Sequence, residues 1–302
     1  MGSYKYTFTV FTPTYNRKHT INRVFESLKN QTFKDFEWLI VDDGSTDNTD
    51  KLIEEFKINS DFKIRYYYKE NGGKHTAINQ GVEFAEGELF LIFDSDDACT
   101  DNALERLKYH WDNIPLVEKE TFSGVSVLCK NTDGKIVGTT YPKNEMDISS
   151  IELRSRYKMT GEKWGFHRTD VLKKFPFPVI PNEKFMAESF IWNKIGMQYK
   201  IRHVNEALRI YTHSYDGLSV SLLKIRNNSP KGTRMYYLEF IKLPLSFKLK
   251  IRGIVNYIRF SFHAKERLIK TIKESEHIIL TIMMLLPGFL LFLIDQRKIK
   301  KM

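Results

Sequence analysis

Two hydrophobic rhythms alternate along the first hundred residues. Residues 6–12 are rich in β-branched and aromatic side chains, the composition of a strand, and residues 21–28 space their apolar side chains as a helix does. A short apolar run at 36–41 ends in Asp42-Asp43-Gly44. Residues 48–56 read as a helix capped by Ser45 or Asp47, 64–68 as a strand, 76–85 as a helix and 88–93 as a strand that stops at Asp94. Strands alternating with helices predict an open, mostly parallel α/β sheet of Rossmann-like build. Ligands bind such sheets beyond the carboxyl ends of the strands. Three of those ends carry polar clusters, at 12–17, 42–46 and 94–97, which are expected to line one crevice.

The last eighty residues follow a different pattern. Leu245, Phe247, Leu249, Ile251 and Ile254 are interleaved with Lys248, Lys250, Arg252 and Arg259, and residues 278–294 are almost entirely apolar. Residues 221–302 hold 17 Lys plus Arg against 5 Asp plus Glu, a net of +12, which leaves −2 for residues 1–220 of the total +10. Basic charge interleaved with bulky apolar side chains favours an anionic membrane surface over nucleic acid, and no nucleic-acid partner is expected. The 17-residue run lies at the low edge of the roughly 17–25 residues that span a bilayer, and Pro287-Gly288 is expected to kink it. An interfacial or re-entrant helix, a span and a buried helix all stay open. Arg297, Lys298, Lys300 and Lys301 suit a cytoplasmic, anionic leaflet.

Other composition narrows the class. A length of 302 residues accommodates one large domain and an appendage, expected here as 4–216 and a helical, membrane-associating region 217–302. The two cysteines, Cys99 and Cys129, form no zinc-ligand cluster and fit a reducing compartment as small buried side chains. The amino terminus lacks a charged segment followed by an apolar one, so no export signal is expected. A dinucleotide-binding oxidoreductase wants a glycine-rich turn after the first strand, and 12–19 contains no glycine. A nucleic-acid binder leaves the acidic cluster without a task.

That cluster, Asp94-Ser95-Asp96-Asp97, carries the strongest chemistry. Three carboxylates in four residues repel one another unless a cation or a hydrogen-bond network sits among them. Mn2+ or Mg2+, hard ions that bridge phosphates, suit such a turn, although Asp-rich turns also occur as plain solvated caps.

Taken in order, Thr12-Pro13-Thr14-Tyr15-Asn16-Arg17, Val41-Asp42-Asp43-Gly44-Ser45, Asn79 with Gly81, and Phe93-Asp94-Ser95-Asp96-Asp97 resemble glycosyltransferase family 2, with its GT-A fold. The resemblance implies an inverting, metal-dependent transferase that takes a sugar from a nucleotide-diphosphate donor, most often a UDP-sugar. It implies donor binding by Thr12, Pro13, Tyr15, Arg17, Asp43, Lys74, Asn79, Asp94 and Ser95. Within that set Pro13, Tyr15 and Arg17 shape the base pocket, Asp43 holds the base or ribose, and Asp94 faces the ribose. Asp96 is the implied metal ligand, and His213 sits where some members send a histidine to the metal or diphosphate, with Arg209 and Tyr211 as alternatives that close the donor pocket.

Two departures stand out. Ile78 occupies a place where an arginine is common, and Lys74 or His75 is expected to supply the charge. In 186–192 the family's paired acids are reduced to Glu188, the implied catalytic base, with Glu183 as a competitor nearby. Trp164 and Trp192 are candidate acceptor walls, since aromatic faces stack on sugars, and a core role is equally open for Trp164. The reading is of a transferase at the cytoplasmic face of the plasma membrane, acting on a lipid-linked oligosaccharide or polysaccharide in surface-polysaccharide synthesis. The rival from another class is an inactive donor-binding or scaffold protein of the same pathway.

Overall fold

The computed structural model describes residues 4–212 and 222–299. These fall into two compact units: residues 4–176 with 194–212, and 177–193 with 222–299. The segment 177–193 thus groups with the helices, and the expected boundary near 216 lies outside the described residues.

The first unit is built on strands β1 (Tyr6–Thr14), β2 (Phe36–Asp42), β3 (Lys63–Tyr68) and β4 (Gly87–Ile92), joined by helices α1 (Asn22–Lys29), α2 (Thr49–Ile58) and α3 (Lys74–Phe84). The strands run parallel in the order β3-β2-β1-β4. All seven residues of β2 are buried, as are the last seven of β1. Helices on both faces of a parallel sheet produce this pattern, and it is why the strands read as continuous apolar runs. The stripes of α1 and α2 meet over the sheet, where Phe25 stacks on Phe56 at 4.2 Å between ring centroids. Glu37, wholly buried in β2, accepts from the Thr9 hydroxyl, the Glu86 amide and Arg65, so its charge is matched.

The chain then adds β5 (Ala98–Cys99), α4 (Ala103–Asp112), β6 (Phe122–Lys130), β7 (Glu145–Ile148), α5 (Ser150–Tyr157), β8 (Lys163–Arg168), α6 (Thr169–Lys174), α7 (Ser189–Gly196) and β9 (Lys200–Ile210). β8 pairs antiparallel with both β4 and β6, and β6 runs parallel to β9, so the sheet continues as β4-β8-β6-β9-β5 with β7 also on β9. This topology carries the end of β9 to the acidic turn after β4. Cys99 and Cys129 are both free thiols and buried.

The second unit contains α8 (Leu222–Asn228), α9 (Pro230–Lys242), α10 (Phe247–His263), α11 (Leu268–Glu274), α12 (Ile278–Met283) and α13 (Leu285–Ile299). Its core is Ile241, Ile254, Tyr257 and Ile258, on α9 and α10. The apolar run 278–294 is divided between α12 and α13, and the division falls at Met284 rather than at Pro287-Gly288. Pro287 occupies the first turn of α13, where an absent amide hydrogen costs nothing. No helix among the described residues is long and apolar enough to cross a membrane.

Candidate functional site

The first two polar clusters interlock at the carboxyl ends of β1 and β2, where Thr14 lies opposite Asp42. The Asn16 amide donates to Ser45 Oγ at 2.8 Å, and Asn16 Oδ1 accepts from the Thr46 amide at 2.8 Å. Asp42 accepts from the Ser45 amide (2.7 Å) and the Tyr66 hydroxyl (2.8 Å). Asp43 ties down the loop 69–73: Oδ1 accepts from Lys69 Nζ (2.6 Å) and the Gly72 amide (2.9 Å), and Oδ2 from the Gly73 amide (2.7 Å). Gly44 makes the turn between them at φ +93°, and a Cβ there would stand 3.0 Å from Asn71. Lys69 and Asn71, whose amide side chain donates to the Asp43 carbonyl at 2.8 Å, carry no motif in the sequence. The Gly72-Gly73 pair was the one sequence signal for that loop.

The third cluster is held by two cations. Lys74 Nζ, at the start of α3, donates to Asp94 Oδ1 at 2.6 Å, and Arg209 Nη2, at the end of β9, donates to Asp94 Oδ2 at 3.0 Å. The same Arg209 nitrogen contacts Asp97 Oδ2, and Asp97 Oδ1 accepts from the Thr212 amide at 3.1 Å. Burial works to raise the Asp94 pKa, but Lys74 and Arg209 outweigh it and hold the carboxyl well below the usual range. Burial pushes Asp97 up to about 6 against the pull of Arg209, with Asp94 adding repulsion. Burial alone would lower Arg209, yet Asp94 and then Asp97 raise it, so the Arg209–Asp97 contact is an ion pair at neutral pH.

Asp96 stands differently. Its carbonyl accepts from Arg23 Nη1 at 3.1 Å, but its carboxyl is raised by burial and then by the Asp94 charge, with Arg17 pulling the other way. A carboxylate disfavoured by burial and negative neighbours is relieved by a divalent cation. Asp96 is therefore the carboxylate of this turn that a cation would suit. Among the described residues, no group of three or more His, Cys, Asp or Glu side chains is arranged to hold a metal by itself.

The other sequence candidates divide by burial. Tyr15 is 49% exposed at the strand end, with an open ring. Arg17, Lys74 and Asn79 are half-buried, while Pro13 and Ser95 are buried in the strand end and the turn. Thr12 is fully buried and its Oγ1 accepts from Trp38 Nε1 at 2.9 Å, so it braces the strand from within and does not reach a donor. Trp164 is likewise a core residue: 4% exposed, it donates from Nε1 to the Ile92 carbonyl at 2.8 Å and packs on Phe93. No face of that indole is open to a sugar, which corrects the acceptor role expected of it. His213 lies outside the described residues.

In the second unit Glu188 immediately precedes α7, and its carbonyl accepts from the Ile191 and Trp192 amides. Trp192 is half-buried and meets Phe177 edge-on at 6.3 Å. Glu183, the competing acid, is committed elsewhere: its two carboxylate oxygens accept from the Lys231 (2.9 Å) and Gly232 (2.7 Å) amides in the first turn of α9.

The family model for glycosyl transferase family 2 matches residues 9–225. Glycosyltransferase GlyG of Streptococcus pneumoniae is 37% identical over 213 residues, covering 67% of this chain and 69% of its own length. The GalNAc(5)-diNAcBac-PP-undecaprenol beta-1,3-glucosyltransferase of Campylobacter jejuni is 28% identical over 67% of this chain, which spans 63% of that relative. An uncharacterized Nostoc glycosyltransferase is likewise spanned over 63% of its length. Among solved structures, S. aureus TarS 1–349 in complex with UDP-GlcNAc aligns with a TM-score of 0.61 at 23% identity, covering 89% of this chain and 78% of that one. The mannosyltransferase PcManGT of Pyrobaculum calidifontis, in complex with GDP-Man and Mn2+, aligns at 0.56 and 16%, covering 97% and 88%. These likenesses show the fold, an α/β sheet of GT-A type flanked by helices. With its motifs at the strand ends and the match over 9–225, the chain belongs to glycosyl transferase family 2.

Proposed function

We propose that this transferase moves a sugar from a nucleotide-diphosphate donor, a UDP-sugar first among them, to a hydroxyl of a lipid-linked or polysaccharide acceptor, with inversion. The observation that carries the reading is the acidic turn: Lys74 and Arg209 neutralise Asp94 and Asp97, while Asp96 keeps a carboxyl that a cation would relieve. Mn2+ or Mg2+ on Asp96 would supply Lewis-acid stabilisation to the leaving diphosphate. Tyr15, Arg17 and Asp43 border the base and ribose. Glu188 takes the proton of the acceptor hydroxyl as its oxygen bonds to the anomeric carbon and the bond from that carbon to the diphosphate breaks. Trp192 walls the acceptor.

UDP donors are supported by the UDP-GlcNAc complex of TarS, and a lipid-linked acceptor by the undecaprenol-linked substrate in the Campylobacter relative's name. The reaction belongs at the cytoplasmic face of the plasma membrane. The test is transfer of label from a panel of radiolabelled UDP-sugars into the organic phase of a membrane lipid extract, with Mn2+ or Mg2+. Label in lipid is the expected result. Label that stays nucleotide-bound for every donor and extract overturns the reading in favour of an inactive, donor-binding scaffold.

A further inference from the structure

We infer that α12 and α13 form a surface that inserts in-plane into an anionic lipid bilayer. The observation is an inverted distribution of polarity. The fully buried positions of the two helices are Thr281, Gly288 and Asp295, seven residues apart. Ile279, Ile282, Leu286, Leu290 and Leu293, at steps of three and four, and Met283 beside them are 37–77% exposed. A helix shaped for water turns such a stripe to the core. Here the inward line is small or polar and each member is matched. Thr281 Oγ1 donates to Ser275 Oγ at 2.8 Å. Gly288 lets α13 cross α10 closely, since a Cβ there would fall 2.5 Å from Ile258 Cγ2. Asp295 accepts both Arg259 Nε and Nη2, at 2.5 and 2.6 Å, and pairs with His263 Nε2 at 2.9 Å. Half-buried Leu280, Met284 and Leu285 complete the packing against α10 and its neighbours.

The outward face lacks any charge from residue 278 to 294, and cations outnumber acids at its margins, where the exposed Glu276 pairs with Lys242. Arg297 and Lys298 follow it at the end of α13, and Arg267 and Lys273 lie exposed on or beside α11. An apolar stripe with a basic margin fits the acyl boundary and headgroups of an anionic leaflet. At 15 residues α13 is about 22 Å long, short of a hydrocarbon core of roughly 30 Å, so the helix lies in the surface and does not cross it.

The inference does not depend on the catalytic reading, and its test reads membrane binding alone. The full chain is floated with vesicles of phosphatidylcholine containing 30% phosphatidylglycerol, at about 0.1 M salt. Wild type should float with these vesicles and far less with pure phosphatidylcholine. The triple variant Ile282→Glu, Leu286→Glu, Leu290→Glu should lose more than about a hundredfold in partition, because three apolar side chains leave the acyl boundary. Arg297→Gln with Lys298→Gln should lose about tenfold or more. A Leu286→Cys variant carrying an environment-sensitive dye gives a second readout that leaves the other side chains in place, and its emission should shift to the blue on the same vesicles. Wild type that stays in the aqueous fraction with an unshifted dye overturns the proposal. So does vesicle binding unchanged in the triple variant, and so does a concentration-dependent dimer abolished by that variant without vesicle binding, which would make the face a contact between copies. Intact vesicle binding with no sugar transfer counts against the transferase reading alone.

Discussion

The acidic turn after β4 and the line of buried residues on α12 and α13 solve the same problem in opposite surroundings. In the first, Asp94 and Asp97 meet Lys74 and Arg209 at the rim of an apolar sheet. In the second, Asp295 meets Arg259 and His263 beneath a helix whose apolar residues face outward. Each carboxylate is buried only where cations compensate it, because an unpaired buried charge costs several kcal/mol. The surrounding pattern is what differs. Around the turn, polarity rises from the core toward the strand ends and the solvent. Along α13 polarity falls from the inside outward. Buried ion pairs therefore say little about what a surface meets, and the gradient of polarity around them says more.

The comparison breaks first at its cations and carboxylates. Arg209→Ala leaves Asp97 and half of Asp94 uncompensated, and Asp295→Ala leaves the Arg259 charge uncompensated and His263 without its partner. Each should lower stability by about 3–5 kcal/mol in denaturant titration. A loss below 1 kcal/mol for either would show that its pair is not the anchor described. Arg209→Lys keeps the charge and should recover part of the loss, though not the shared geometry.

A smaller effect separates the sheet unit by pH. His167 and His203 are both lowered to about 4 by burial, and each stays neutral in the folded sheet. Their unfolded pKa lies near 6.5, so the stability they contribute is complete above that value and is lost as the pH falls toward 4. Asp97, raised to about 6, works in the opposite sense over part of this window. The two histidines outweigh one acid, and the net loss between pH 7 and 4.5 should be roughly 2–4 kcal/mol. Double replacement by Gln should flatten the profile, and an unchanged slope would remove the histidines from the account.

Below these lie two surface tests. Glu183→Ala removes the acceptor for two amides at the start of α9 and should cost about 1 kcal/mol while sparing catalysis, which separates it from Glu188. Leu286→Ser, on the outward face, should change stability in water by less than about 0.5 kcal/mol, since that side chain contributes little to packing. A larger loss would mean the face is covered in solution.

Much of the first hundred residues was legible in advance, for a physical reason. Strands covered on both faces read as apolar runs, and each ends in a polar cluster because the ligand end of a parallel sheet is where polar residues are tolerated. The elements 36–41 and 64–68 match β2 and β3 to within a residue at each end. Less was legible where contacts join distant segments. Arg209 reaches Asp94 across 115 positions, and no local pattern announces which cation will clamp an acidic turn. Asp43 carried a clear motif, but its use in anchoring 69–73 depends on Lys69 and two glycine amides that carry no motif of their own. Trp164 was ambiguous because an aromatic residue on a strand suits core and cleft equally until its face is known. The break falls at Met284 and not at Pro287 because proline opens a helix as readily as it ends one.

The central claim is that Asp96 and Glu188 perform the transfer, and it is tested most directly by release of nucleoside diphosphate. UDP-, GDP- and dTDP-sugars are offered with acceptor lipid, with and without Mn2+ or Mg2+, to wild type, Asp96→Ala and Glu188→Gln. The account predicts turnover of one donor class that depends on the metal and falls by roughly 10²–10³-fold in each variant, with both variants folded. Turnover that survives either substitution within about threefold, or that ignores the metal, would contradict it.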